Sequence, residues 1–168
     1  MSRDSDVFEP YPEPEAIWGY LDERLGMDPA AFAGFSLWQR PGTKPIWLLS
    51  DEAEPPRDVR VEWAGLAVMR QAPPRGFPTS AFLRRFGHLA TKNVYEVDWD
   101  TALRLMYNHQ LEYTALDERG GPYVVRSPRG TVGRGWVRKG RLALETPKAW
   151  VNQLLPRTEL AEVAEPPA

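Results

Sequence analysis

The sequence predicts a mixed α+β fold. Short strands close into a small β pseudobarrel with short covering helices, and a small α/β extension precedes it. Three observations lead to this prediction. The chain has 168 residues, 42% apolar and 11% aromatic, which is enough to bury the core of one domain or of two small ones. Helical and strand-like stretches alternate in the middle of the chain, and a series of short strands follows. Because a closed sheet has no exposed edges, a barrel suits such strands.

The N-terminal part of the chain is predicted to contain the extension. Residues 1–12 are polar and interrupted by proline, which predicts a disordered N-terminus. Residues 13–55 are predicted to form the α/β piece. It begins with a helix, because apolar side chains recur every four residues at Ile17, Leu21 and Leu25. A short helix and two strands of a hairpin are then predicted at 28–32, 35–40 and 45–49.

An acidic, proline-containing linker at residues 51–58 is the clearest boundary in the sequence. Residues 59–155 are predicted to form the pseudobarrel domain, and residues 156–168 an acidic flexible tail. Thr79 or Ser80 can cap one short helix, and Asp98 can cap another. A further short helix is predicted after Pro147. The predicted strands are 59–69, 92–97, 111–114, 123–126, 131–138 and 141–144.

Charge is segregated along the chain, although the net charge is only −2. Residues 1–55 hold eleven acids and four bases. By contrast, residues 60–92 hold six bases and one acid, and residues 123–150 hold seven bases and one acid. The local field of such basic stretches recruits phosphate groups, whatever the net charge. Ordinary solvated strands and loops give the same pattern, so both interpretations stay open at this point.

Short motifs between Val61 and Pro147 follow an order and spacing that resemble one RNA-binding family. They are Trp63-Ala64-Gly65-Leu66, Ser80 to Phe86, Lys92-Asn93-Val94, Val97-Asp98, Ala102-Leu103, Tyr123-Val124-Val125, Gly133-Arg134-Gly135-Trp136-Val137 and Gly140-Arg141-Leu142. Together they are similar to the PUA-like domain attached to Sun-type RNA cytosine-5 methyltransferases, in particular the archaeal and RsmF-like ones. The resemblance covers about half of the chain.

This resemblance implies a PUA-type pseudobarrel that binds RNA. The methyltransferases of that family also carry a large cofactor-binding domain with a catalytic cysteine, and this chain has no cysteine. The resemblance therefore implies RNA docking without catalysis and without a cofactor. It also suggests an RNA methyltransferase, made as a separate chain, as a partner.

Eight cations are the candidate RNA-binding residues, and we expect them to converge into one groove for a polyanion. Arg134 lies between two glycines and can pair with a phosphate or stack on a base. The alternatives are a bulge that needs the glycines and a merely solvated Arg134. Replacing Arg134 and Arg138 together by alanine is expected to lower RNA affinity with little change in melting temperature. The eight candidates are Arg84, Arg85, Lys92, Arg126, Arg134, Arg138, Lys139 and Arg141.

The sequence contains no pattern that indicates catalysis or metal binding. His88 and His109 are the only histidines, and no spacing of His, Cys and carboxylates resembles a metal site. Asp98 and Asp100 are typical of a helix start, where the helix dipole favours them, and not of paired catalytic carboxylates.

The seven tryptophans are mostly assigned to the core. Trp63, Trp99 and Trp136 lie at periodic apolar positions. Trp38 and Trp150 are less constrained, and either one could form an exposed platform for stacking or for a partner.

The sequence thus predicts a non-catalytic RNA-binding protein that docks structured tRNA or rRNA. The alternative is a protein–protein interaction module with a PUA-like fold that no longer binds RNA. A third possibility, a small enzyme acting on RNA, lacks an identifiable nucleophile or general base. No apolar run approaches the ~20 residues of a membrane helix, and the N-terminus lacks the features of a signal peptide. We therefore predict a cytoplasmic protein without a membrane or DNA partner.

Overall fold

The computed structural model describes residues 7–57, 59–107, 110–112 and 121–145. The chain divides into two compact units, and the boundary falls between Lys92 and Asn93. Each unit combines helices with one β-sheet, so the predicted mixed α+β class is confirmed.

The first unit contains a four-stranded antiparallel sheet in the order β1-β2-β3-β4. Two helices accompany it, together with 3-10 turns at Pro29–Phe32 and Gly87–Leu89. The strands are Glu9–Pro10 (β1), Phe35–Gln39 (β2), Ile46–Ser50 (β3) and Leu66–Met69 (β4), and the helices are Pro14–Leu25 (α1) and Ser80–Phe86 (α2).

The core of the first unit follows the predicted helical spacing. Ile17, Leu21 and Leu25 are fully buried along one face of α1. The ring of Phe32 stacks on Trp18 and on Phe82, with ring centroids 4.9 and 5.8 Å apart. Stacked rings bury large apolar areas, so this aromatic cluster stabilises the unit.

Local capping explains where the short helices begin. The Asp28 carboxylate accepts a hydrogen bond from the Ala30 N–H at 2.9 Å, and the Thr79 hydroxyl accepts one from the Phe82 N–H at 3.0 Å. Each cap satisfies a backbone donor that the first helical turn leaves without a partner. The predicted cap at Thr79 is confirmed, and Asp28 caps the short helix predicted at 28–32.

The second unit contains a five-stranded sheet in the order β5-β7-β8-β9-β6. Strand β5 runs parallel to β7, and the other pairs are antiparallel. The strands are Val94–Glu96 (β5), Leu111–Glu112 (β6), Pro122–Ser127 (β7), Gly130–Arg138 (β8) and Arg141–Glu145 (β9), and the helix is Trp99–Met106 (α3).

Helix α3 covers one face of this second sheet. Its buried side chains form a single cluster with apolar side chains of β7, β8 and β9. Strand residues that face α3 therefore belong to the core, whereas those on the opposite sheet face are the ones able to carry charge. The buried cluster is Ala102, Leu103, Leu105, Met106, Val125, Val132, Leu142 and Leu144.

The arrangement of the strands differs from the predicted barrel. The described strands form two open sheets and do not close into a barrel. Strand β4 lies inside the run predicted to open the barrel, yet it pairs with β3 across the predicted linker 51–58. Val68 and Met69 are fully buried in the first unit, and this burial explains the pairing. The two compact units therefore do not coincide with the predicted pieces 13–55 and 59–155.

The ends of the chain also differ from the prediction where the structure describes them. Within the predicted disordered segment 1–12, Glu9–Pro10 pairs with β2, and Phe8 is buried beside the Trp47 ring. The predicted helix after Pro147 and the tail 156–168 lie outside the described residues. Among the described helices, none has the length and apolar character needed to cross a bilayer.

Candidate nucleic-acid interface

A tight hairpin turn between β8 and β9 carries three of the predicted cations. Lys139 and Gly140 form the turn with φ of 51° and 69°, and positive φ at both positions is typical of a two-residue hairpin turn. Arg138 and Arg141 flank the turn and lie directly opposite each other in the ladder. All three cationic side chains are exposed. We call Arg138, Lys139 and Arg141 the hairpin cations.

The hairpin cations lack a counter-charge among the described side chains. No carboxylate of the described residues lies within ion-pair distance of them. The Cβ atoms of directly opposite residues in an antiparallel pair are about 5 Å apart, and like charges there repel. An anion bound between Arg138 and Arg141 would relieve this repulsion, and a phosphate oxygen matches the geometry of guanidinium donors.

Arg126 stands at the other end of the sheet and is already neutralised. Its Nε and Nη2 both lie 2.8 Å from Oε1 of Glu96 on the neighbouring parallel strand β5. Arg126 is paired in register with Thr131, seven residues before Arg138. At about 3.3 Å per strand residue, this separates Arg126 from the hairpin cations by ~23 Å. Arg126 therefore does not belong to the hairpin cluster.

Arg134 is an internal part of the sheet, so the alternative of a merely solvated side chain is wrong, and its RNA contact stays a prediction. The residue is 6% exposed. Its Nη2 lies 2.6 Å and its Nε 3.1 Å from Oε2 of Glu145, directly across the ladder on β9. The indole N–H of Trp136 donates to the same carboxylate oxygen. A neutralised guanidinium in such a network fixes the β8–β9 pairing and is poorly placed to reach RNA.

The two glycines beside Arg134 face the core of the second unit. Gly135 pairs with Leu144, and its ladder position belongs to the face that α3 covers. A Cβ at Gly135 would lie 2.7 Å from Cγ2 of Val125 and 3.0 Å from Cδ1 of Leu142. The pairing of β7 and β8 also shifts by one residue near Arg126, as in a bulge. Packing thus explains Gly135, whereas the predicted bulge lies beside Gly133.

The other three predicted cations belong to the first unit. Arg84 is partly buried in α2, and this burial lowers the pKa of its guanidinium. Arg85 is exposed, with its guanidinium carbon 6.0 Å from the centroid of the Phe86 ring. Lys92 donates from Nζ to the Asp22 carbonyl at 3.2 Å, in the last turns of α1, where the helix dipole favours a cation. Convergence of these residues with those of the second unit into one groove stays a prediction.

The structure describes no arrangement suited to metal chemistry. Among the described residues, no group of three or more His, Cys, Asp or Glu side chains could hold a metal ion. Asp98 caps α3, because its Oδ1 accepts a hydrogen bond from the Thr101 N–H at 2.7 Å, and this bond lowers the pKa of the carboxyl group. The predicted helix-start role of Asp98 is confirmed.

The tryptophans include one residue, Trp63, whose environment differs from the prediction. Trp63 is 79% exposed, so its assignment to the core is wrong. Trp99 is partly buried, and its ring lies 4.2 Å from the Arg129 guanidinium carbon. Trp38 belongs to β2 and packs, partly buried, against the cluster of Phe8, Leu49 and Ala64, and Trp150 lies outside the described residues. The sequence signal for this exposure is the position of Trp63 next to the acidic linker. Apolar and charged residues alternate there, and this alternation resembles that of a strand.

The second missed residue is Glu145, the partner that neutralises Arg134. The sequence signal was available, because Glu145 is the only acid between residues 123 and 150. A lone carboxylate in a basic stretch is a natural partner for a buried cation.

Taken together, the fold and the site define a two-unit α+β protein with a cationic hairpin at one end of its second sheet. No protein-family model matches this chain, and no curated protein matches it at a significant level.

Proposed function

We propose that this protein is a non-catalytic RNA-binding protein that docks structured RNA through the hairpin cations. The observation that supports this best is the contrast within one sheet. Arg126 and Arg134 are neutralised by Glu96 and Glu145, whereas the hairpin cations are exposed without a described carboxylate partner. Exposed cations on a tight hairpin turn suit the phosphate backbone of a folded RNA.

The RNA ligand and the enzyme partner that we propose are those implied by the family resemblance. The RNA that we propose is a structured tRNA or rRNA. We also propose that the second unit derives from a PUA-like RNA-docking domain. An RNA methyltransferase made as a separate chain is the proposed enzyme partner. In this arrangement the protein recognises A-form shape and phosphate spacing and leaves the chemistry to its partner.

Salt dependence of RNA binding tests the proposal. The parent chain is titrated against a labelled tRNA transcript, with anisotropy as the readout. With about six phosphate contacts, affinity should fall about a thousandfold between roughly 50 and 200 mM salt. A protein-only interaction module would show no such binding.

A charge-neutral hairpin variant locates the contact. Arg138→Gln, Lys139→Asn and Arg141→Gln remove three charges, and the resulting Asn-Gly turn suits the hairpin geometry. Losing about three contacts should reduce the fall over the same salt range to about fortyfold.

A matched control removes three exposed cations elsewhere through Lys44→Gln, Arg57→Gln and Arg75→Gln. The hairpin variant should lose affinity, and the control should bind nearly like the parent. Equal losses in both variants would contradict the assignment, since only net charge would then matter.

A further inference from the structure

The first unit carries a large aromatic side chain that is mostly exposed to solvent. Trp63 is 79% exposed and Val59 is 60% exposed. A tryptophan side chain has 150–250 Å² of surface to bury, so leaving one in water forgoes a large hydrophobic gain. Tryptophan is enriched at protein interfaces, where such a ring becomes buried.

The chain on either side of Trp63 packs against the first sheet. Ala64 belongs to a buried cluster with Phe8 and Leu49, and Val61 packs against that cluster. A Cβ at Gly65 would lie 2.2 Å from the Leu48 carbonyl oxygen, so the backbone there runs directly against β3. The indole is therefore presented from a rigid base, which lowers the entropic cost of binding.

Exposed carboxylates follow β3, the strand against which the backbone at Gly65 lies. The segment 51–62 leaves the sheet after Ser50 and returns to the same buried cluster at Val61. It contains five acids and two bases, a net charge of 2 − 5 = −3. Only Glu62 has a described ion pair, with Arg60 at 3.8 Å. Asp51, Glu52 and Glu54 are exposed, with no cation of the described residues within ion-pair distance.

We propose that Trp63 and these carboxylates form a docking surface for a basic segment of a partner protein. We define the Trp63 surface as Trp63, Val59, Asp51, Glu52 and Glu54. A lysine or arginine side chain of the partner stacks over the indole, where the ring attracts a cation, and neighbouring cations pair with the carboxylates. The negative charge of the segment opposes a polyanion, so this surface differs in kind from the hairpin cations.

Binding of a basic peptide tests the docking surface. The probe is a short labelled peptide in which arginine alternates with serine and leucine, and the comparison probe has glutamate in place of every arginine. The full chain should bind the arginine peptide and not the glutamate peptide. Trp63→Ala should weaken binding about tenfold, whereas Trp63→Phe should retain part of it, because phenylalanine keeps a smaller π face.

A charge variant separates local carboxylates from overall acidity. Asp51→Asn, Glu52→Gln and Glu54→Gln should lower peptide affinity and flatten its salt dependence. The matched control removes three exposed acids from α1 through Glu15→Gln, Asp22→Asn and Glu23→Gln, and should bind the peptide like the parent. The parent melting temperature should persist in Trp63→Ala, because the side chain is mostly in water.

The outcomes are independent of the RNA proposal. Trp63→Ala should leave tRNA affinity unchanged, and loss of the hairpin cations should leave peptide affinity unchanged. The docking proposal is overturned if the parent does not bind the arginine peptide, or if Trp63→Ala binds it as tightly as the parent. It is also overturned if Trp63→Ala lowers tRNA affinity alone, which would assign the indole to base stacking.

Discussion

Arg134 and Arg138 lie four residues apart on strand β8 and occupy the same face of the sheet, yet their surroundings differ. Arg134 is buried, and Glu145 neutralises it across the ladder. Arg138 is exposed, and its ladder partner is another cation, Arg141. The register of one antiparallel pair therefore decides whether an arginine stabilises the sheet or stays available to a ligand. Counting bases along the sequence cannot separate the two cases.

The largest expected effect is on stability at the centre of β8. Arg134→Met should lower the free energy of unfolding by about 2 kcal/mol, since the Glu145 carboxylate and the Trp136 N–H lose their shared network. Urea unfolding followed by circular dichroism measures the change. Arg138→Met, on the same face, is the matched control and should change stability by less than about 0.5 kcal/mol. Equal stability of the parent and Arg134→Met would contradict the claim that Arg134 stabilises the sheet.

A loss of stability in Arg134→Met would revise the expectation drawn from sequence, in which replacing Arg134 and Arg138 together leaves the melting temperature nearly unchanged. In the structure Arg134 stabilises the sheet, whereas Arg138 is accessible to a ligand. We therefore expect the single Arg134 variant to lose stability and the single Arg138 variant to lose RNA affinity.

A smaller effect on stability is expected on the opposite face of β8. Gly135→Ala should destabilise the protein by about 1–2 kcal/mol, because the added methyl group overpacks against Val125 and Leu142. Gly19→Ala is the matched control, since Gly19 is exposed in α1 with no atom within 4 Å of an added Cβ. It should stabilise the helix by about 0.5–1 kcal/mol. Normal stability but lost RNA affinity in Gly135→Ala would instead assign this glycine to close approach of RNA.

Local signals were sufficient to predict the helices and several turns. The spacing of Ile17, Leu21 and Leu25 gives the buried face of α1, and Asp28 and Asp98 cap the helices that follow them. These features depend on residues a few positions apart, where hydrogen bonds and periodicity are fixed by backbone geometry.

Features that depend on distant residues could not be predicted in the same way. Leu66 pairs with Leu48, across the segment that was predicted to separate two domains. Val59 to Trp63 alternates like a strand, but β4 begins only at Leu66, and Trp63 therefore stays exposed. Strand partners are chosen by burial in the whole unit, which a local pattern does not contain.

The smallest expected effect concerns a charged group whose partner is local. The hydrogen bond from the Thr101 N–H lowers the pKa of Asp98 in the folded chain. A lowered folded pKa stabilises the protein above the unfolded pKa of about 3.9, and this contribution is lost as the pH falls through the folded value. Asp98→Asn keeps a cap without this titration.

Unfolding midpoints at about pH 6 and about pH 3 measure the difference, and the drop on acidification should be smaller in Asp98→Asn than in the parent. An identical drop in both proteins would show that the Asp98 cap contributes no pH dependence.

The side-chain Nε–Hε signals of the arginines, followed by NMR during titration with the tRNA transcript, test the central claim most directly. Single arginine-to-lysine substitutions assign each signal. We expect the signals of Arg138 and Arg141 to shift as RNA is added, while that of Arg134 stays in place because Glu145 holds its guanidinium. A shift of the Arg134 signal with the Arg138 and Arg141 signals unchanged would contradict the account.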